Sequence, residues 1–126
     1  MNTRTWLILG IVLVLIWGAG LFEVFYLQKK YAQMQADCQR MIELCQEESA
    51  TVGDYQQVFQ KWSKLKKTTE LMLPHVDTYE LHLRFSECYS YIVEKDFKNA
   101  EAQLCVAKDL LEYIPEMTKP TLRNIA

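Results

Sequence analysis

Residues Trp6 to Phe22 read WLILGIVLVLIWGAGLF, 17 positions without a charge, with Arg4 ahead of them and Glu23, Lys29 and Lys30 the first charges beyond. A helix needs about 20 apolar residues to cross a hydrocarbon layer of roughly 30 Å, and Val24 to Leu27 extend the run past Glu23 to meet that length. The run therefore predicts an anchor over residues 1–27, with residues 28–126 forming one water-facing domain. That remainder, about 100 residues, supports a single modest core and not two.

A cleaved secretory signal is the competing reading of the same segment. It requires small residues at the cleavage site, and Gly18-Ala19-Gly20 is followed at once by bulky Leu21 and Phe22. Retention as a signal anchor is the expectation, giving a single-pass protein of the cell membrane. Arg4 on one side and Lys29 with Lys30 on the other nearly balance the charge rule for orientation. A short leading tail inserted loop-wise stays inside, which places the domain outside the cytoplasm.

Beyond Phe22 the chain has 13 basic and 16 acidic side chains, a net charge of −3. Such a surface lacks the basic excess that draws nucleic acid. Four glycines and three prolines in 126 residues suit packed helices rather than a turn-rich sandwich.

Periodicity supplies the helices. Val24, Leu27, Tyr31, Met34, Cys38, Met41 and Cys45 recur at alternating steps of three and four, a heptad seam that continues the anchor without a glycine or proline until Thr51-Val52-Gly53. Asp54 is the expected N-cap of a second helix carrying Tyr55, Val58, Phe59, Trp62, Leu65, Thr69 and Met72, which Leu73-Pro74 ends. Asp77 is the expected cap of a third, striped by Leu81, Phe85, Cys88 and Ile92. After a tight turn at Lys95-Asp96, a fourth carries Phe97, Ala100, Leu104, Ala107, Leu111 and Ile114, with Pro115 closing it. Short connections between helices of matched length favour antiparallel neighbours. The expectation is an all-α protein: an N-terminal transmembrane helix continuing into an antiparallel bundle of about four helices, arranged as two helical hairpins.

Chemistry is sparse. Cys88 and Cys105 are equidistant from the turn between Asp96 and Phe97, so a hairpin sets them at one height as a candidate disulfide or thiol pair, against the plainer reading of two small buried thiols. Cys38 and Cys45 are two turns apart on one seam, too far to bond to each other, and face their own copies if two stalks pair as a homodimer. His75, Asp77, Glu80, His82 and Glu87 include metal-ligating types, but two histidines seven positions apart do not match H-E-x-x-H. Lys61, Lys64, Lys66 and Lys67 surround Trp62 and are expected to pair across the hairpin with Asp37, Glu43 and Glu47, or to meet lipid headgroups as the second helix returns to the membrane. No nucleophile elbow, phosphate-binding glycine loop, cofactor motif or zinc pair is present, so no enzyme is expected.

Four stretches carry a family likeness: His75-Val76-Asp77, Tyr91 through Ala100 (YIVEKDFKNA), Tyr113-Ile114-Pro115-Glu116, and Leu122-Arg123-Asn124-Ile125. They resemble the clostridial-type domain of unknown function numbered 4363, although Asp77 stands where that pattern prefers glutamate. The resemblance implies a bacterial, membrane-anchored helical protein of unassigned activity, with no catalytic or ligand residues to transfer. Leu122, Asn124 and Ile125 would then fold the tail back on the bundle or dock a membrane partner. The functional expectation is a non-enzymatic accessory or interaction module, binding through exposed aromatics such as Tyr79, Tyr91 and Tyr113, in contact with the bilayer and a multi-pass protein. The alternative is an extracytoplasmic ligand-, thiol- or metal-sensing domain.

Overall fold

The computed structural model describes residues 2–74 and 76–118, with side chains given up to Ile114. Four helices account for nearly all of it: α1 (Thr3–Gln46), α2 (Val52–Met72), α3 (Tyr79–Val93) and α4 (Phe97–Thr118). Among the described residues there is no strand.

α1 is a single 44-residue helix, about 66 Å long at 1.5 Å per residue. Its first half is bare: the apolar positions from Trp6 to Phe22 are uncovered by the rest of the protein, Val24 is partly covered, and the first buried residue is Leu27. A core helix of a water-soluble domain would not leave such a run exposed, so this half has the character of a membrane anchor or a signal sequence. The second half enters the bundle through Leu27, Tyr31, Met34, Cys38, Met41 and Cys45. This is the expected seam, and it is filled by helices of the same chain rather than left open to a second copy.

The helices alternate in direction. Tyr31 meets Thr69 and Asp37 meets Lys61, so α2 runs antiparallel to α1. Gln39 meets Lys108 and Gln46 meets Glu101, so α4 also runs antiparallel to α1. Each helix touches two neighbours, and among the described residues the diagonal pairs α1–α3 and α2–α4 make no close backbone approach. The result is a closed up-down-up-down bundle in which α1 packs most extensively on α4. Ala100 and Ala107, both fully buried, let the α4 backbone come close to its neighbours.

Trp62 of α2 stacks on Phe85 of α3, centroids 5.2 Å apart, at the centre of the core. Each such buried large side chain contributes about 1.5–3 kcal/mol by removal from water. Buried side-chain nitrogen and oxygen atoms are all partnered among the described residues. Thr69 donates its hydroxyl to the Leu65 carbonyl at 2.8 Å, so Tyr31 donates to Thr69 across the α1–α2 seam at 2.7 Å. Tyr55 donates to the Phe85 carbonyl. Trp62 Nε1 donates to His82 Nδ1 at 3.3 Å.

Three boundaries differ from expectation. α1 stops at Gln46, ahead of Gly53, because Glu48 turns left-handed at φ 56°. Ser49 N then bonds Leu44 O at 2.9 Å and Glu48 N bonds Cys45 O at 3.0 Å, the paired bonds of a Schellman closure. Gly53 lies in the first turn of α2, and Thr51 rather than Asp54 is the cap, its hydroxyl accepting from Asp54 N at 3.1 Å. Asp54 sits in the first turn, where its charge favours the helix dipole. α4 continues past Pro115 to Thr118, since proline already has a helical φ and its missing donor costs one bond near the helix end. Asp77 does accept from Tyr79 N at 2.9 Å, although Thr78 is the residue at the α3 boundary.

Candidate functional site

The end of the bundle from which the apolar half of α1 emerges collects most of the exposed apolar surface outside that segment. The α1–α2 register sets Met72 level with the turn at Leu27-Gln28, and the α2–α3 connection and the last turns of α4 lie at the same end. Here Leu71 is 84% exposed, Tyr79 67% and Tyr113 58%. Tyr91, at the opposite end of α3, is half-buried and packs on the core. Two of the three tyrosines expected to face outward thus share one end, joined by Leu71, which the α2 stripe does not include. Leu71 was findable as the residue beside Met72 that falls off the buried face.

A groove of about 520 Å³ runs between α1 and α2 from this end. Tyr26 and Lys30 line its mouth, Met34 and Leu65 its floor, Thr68 and Lys64 its α2 wall, and Asp37 with Lys61 its far end. Lys30 Nζ lies 5.6 Å from the centroid of the Tyr26 ring. Asp37 is matched by Lys61 at 3.5 Å and Arg40 at 3.7 Å. Lys66 pairs with Glu70 of its own helix at 2.6 Å, which holds the Glu70 carboxyl below its ordinary range. Of the charge pairs expected across the α1–α2 hairpin, Lys61–Asp37 forms, while Glu43 hydrogen-bonds Gln39 instead.

The cysteines divide by burial. Cys38, Cys45 and Cys88 lie in the core, whereas Cys105 is exposed, and all four are free thiols. Cys88 faces Ala100, whose carbonyl accepts from its thiol at 3.6 Å, and not Cys105. The hairpin does set the two at similar height, but Leu104 holds the inward position and turns Cys105 outward. Burial pushes the Cys38 and Cys88 thiols up to about 12 and Cys45 up to about 11, so these sulfurs stay protonated and weakly nucleophilic. Burial likewise raises Tyr31 and Tyr55.

Among the described residues no three His, Cys, Asp or Glu side chains converge as metal ligands would. His82 is engaged by Trp62 and packs against the Phe59 ring. His75, Leu122, Asn124 and Ile125 lie outside the described residues.

The family model "Domain of unknown function (DUF4363)" matches residues 21–125. The chain belongs to this family. The match opens inside the apolar run and takes in all of α2, α3 and α4, so the DUF4363 domain comprises the whole bundle together with the part of α1 that joins it to the bare segment. No curated protein and no solved structure matches the chain.

Proposed function

We propose that this DUF4363 protein is a single-pass, membrane-anchored interaction module without catalytic activity, serving an integral membrane partner from the extracytoplasmic face. One observation carries the reading: the apolar segment and the bundle's first core helix are the same uninterrupted α1. A helix without a flexible link sets the height and tilt of what it carries, which a contact module needs and a secreted domain does not. The base of the bundle then lies against the bilayer surface. There Tyr26 and Leu71 lie at the membrane–water interface, the level that amphipathic aromatic rings such as that of Tyr26 favour, and exposed Tyr79 and Tyr113 stand just beyond it, level with about Met34 of α1.

The thiol-sensing alternative draws less support, because three of the four sulfurs are buried and raised in pKa, and the fourth stands alone at the surface. A photo-reactive residue in place of Tyr79 or Tyr113, activated in native membranes, tests the proposal. One integral membrane protein captured at both positions, and lost when Leu71 is replaced by Asp, is the expected result. Adducts to self or lipid alone would contradict it.

A further inference from the structure

The groove between α1 and α2 has a volume of about 520 Å³, and its position and charge point to one class of occupant. If the hydrocarbon layer takes Trp6 to Phe25, about 30 Å of helix, the headgroup layer of some 5–8 Å beyond it covers the next turn, from Tyr26 to Lys30. Lys30 reaches back over the Tyr26 ring, bringing its ammonium to that level at the mouth of the groove. Lys64 adds a second ammonium from the α2 wall. Among the described residues neither lysine has a carboxylate within 4 Å, while Asp37, the groove's one acidic side chain, is already matched by Lys61 and Arg40. A cleft with two uncompensated cations, an apolar floor and a mouth beside a lipid-facing helix suits an amphiphile with an anionic head.

We propose that this groove binds a single anionic phospholipid of the adjoining leaflet, its phosphate at Lys30, its polar headgroup extending toward Lys64, and its acyl chains lying along the apolar half of α1. The bound lipid fills the α1–α2 seam at the point where the bundle leaves the bilayer, fixing the bundle's azimuth as well as its height. Lys29 and Lys67 lie outside the groove and contribute only diffuse attraction. The inference rests on the reading of α1 as a retained anchor, and the two fail differently.

Full-length protein in nanodiscs containing equal phosphatidylglycerol and phosphatidylcholine, released gently and weighed by native mass spectrometry, tests the site. One phosphatidylglycerol retained per chain is expected, with preference over phosphatidylcholine falling about five-fold for each of Lys30→Gln and Lys64→Gln. Lys67→Gln is expected to change nothing. Equal retention of both lipids by the unaltered chain, or an equal loss with Lys67→Gln, would overturn the groove as the binding site. An inorganic phosphate adduct on lipid-free protein, removed by the same two substitutions, would overturn a lipid as its occupant. Alkaline carbonate extraction that frees the full-length chain from membranes would remove the anchor reading and this inference together, whereas retention in the membrane with no lipid preference removes only the inference.

Discussion

Cys105 stands one residue past Leu104 in α4, and that step of about 100° around the helix turns its thiol to solvent while Leu104 is wholly buried. A thiol reagent at about pH 8 is therefore expected to modify one cysteine per folded chain and four after denaturation. Two unreactive thiols that appear only on reduction would instead indicate a Cys88–Cys105 bond. On intact cells, modification of Cys105 by a membrane-impermeant maleimide is expected if the bundle lies outside. The three buried thiols also set a pH dependence. Below the ordinary thiol value near 9 both folded and unfolded chains hold these protons; above it the unfolded chain ionises while Cys45 resists to about 11 and Cys38 and Cys88 to about 12. Stability is thus intact below about pH 9 and falls as pH rises through that window, seen as a declining urea midpoint. The stripe Ala100, Leu104, Ala107, Leu111 was legible in the sequence, but Cys105, read there as paired with Cys88 or buried beside it, falls one position off that stripe and turns outward; the Trp62–His82 and Tyr31–Thr69 bonds were not legible, because they depend on which helices meet.

At the scale of elements, α1 and α3 both close on a left-handed residue that is not glycine, Glu48 at φ 56° and Lys95 at φ 59°. The second closure mirrors the first, with Asp96 N bonding Tyr91 O at 2.8 Å and Lys95 N bonding Ile92 O at 3.1 Å. Asp96 then starts α4, its carboxylate accepting from the side chain of Asn99 at 2.7 Å. A side chain in this conformation costs about 1–2 kcal/mol, part of which glycine returns through its freer unfolded chain. Glu48→Gly and Lys95→Gly are each expected to stabilise the fold by about 0.5–1 kcal/mol in urea unfolding, while Ala at either position should not. The Lys95-Asp96 turn was legible from the break between two apolar stripes. The end of α1 was not, since Gly53 advertised a stop that the chain makes five residues earlier with Glu48, and Gly53 instead enters α2 under the Thr51 cap.

For the whole molecule, the apolar run and four amphipathic stripes made the architecture readable: one long first helix and an antiparallel bundle. Periodicity tells which face of a helix is buried and not against what, so the broad α1–α4 contact and the α1–α2 groove needed the structure. Register then brings Leu71, Tyr79 and Tyr113, far apart in sequence, to one end of the bundle. On the proposed reading that end rests on the membrane and the Glu48 turn points away, about 30 Å farther out along the 1.5 Å rise of α1. Spin-label depth measurement on the full chain in lipid vesicles tests this most directly, with Cys105 replaced by Ser and single cysteines placed at Leu71 or Glu48. The account predicts that a label at 71 sits at headgroup depth, accessible to oxygen dissolved in the bilayer, while a label at 48 is as open to water-soluble relaxants as a free solute. Equal exposure of both labels to water, or a mature chain that begins near Leu21, would contradict it.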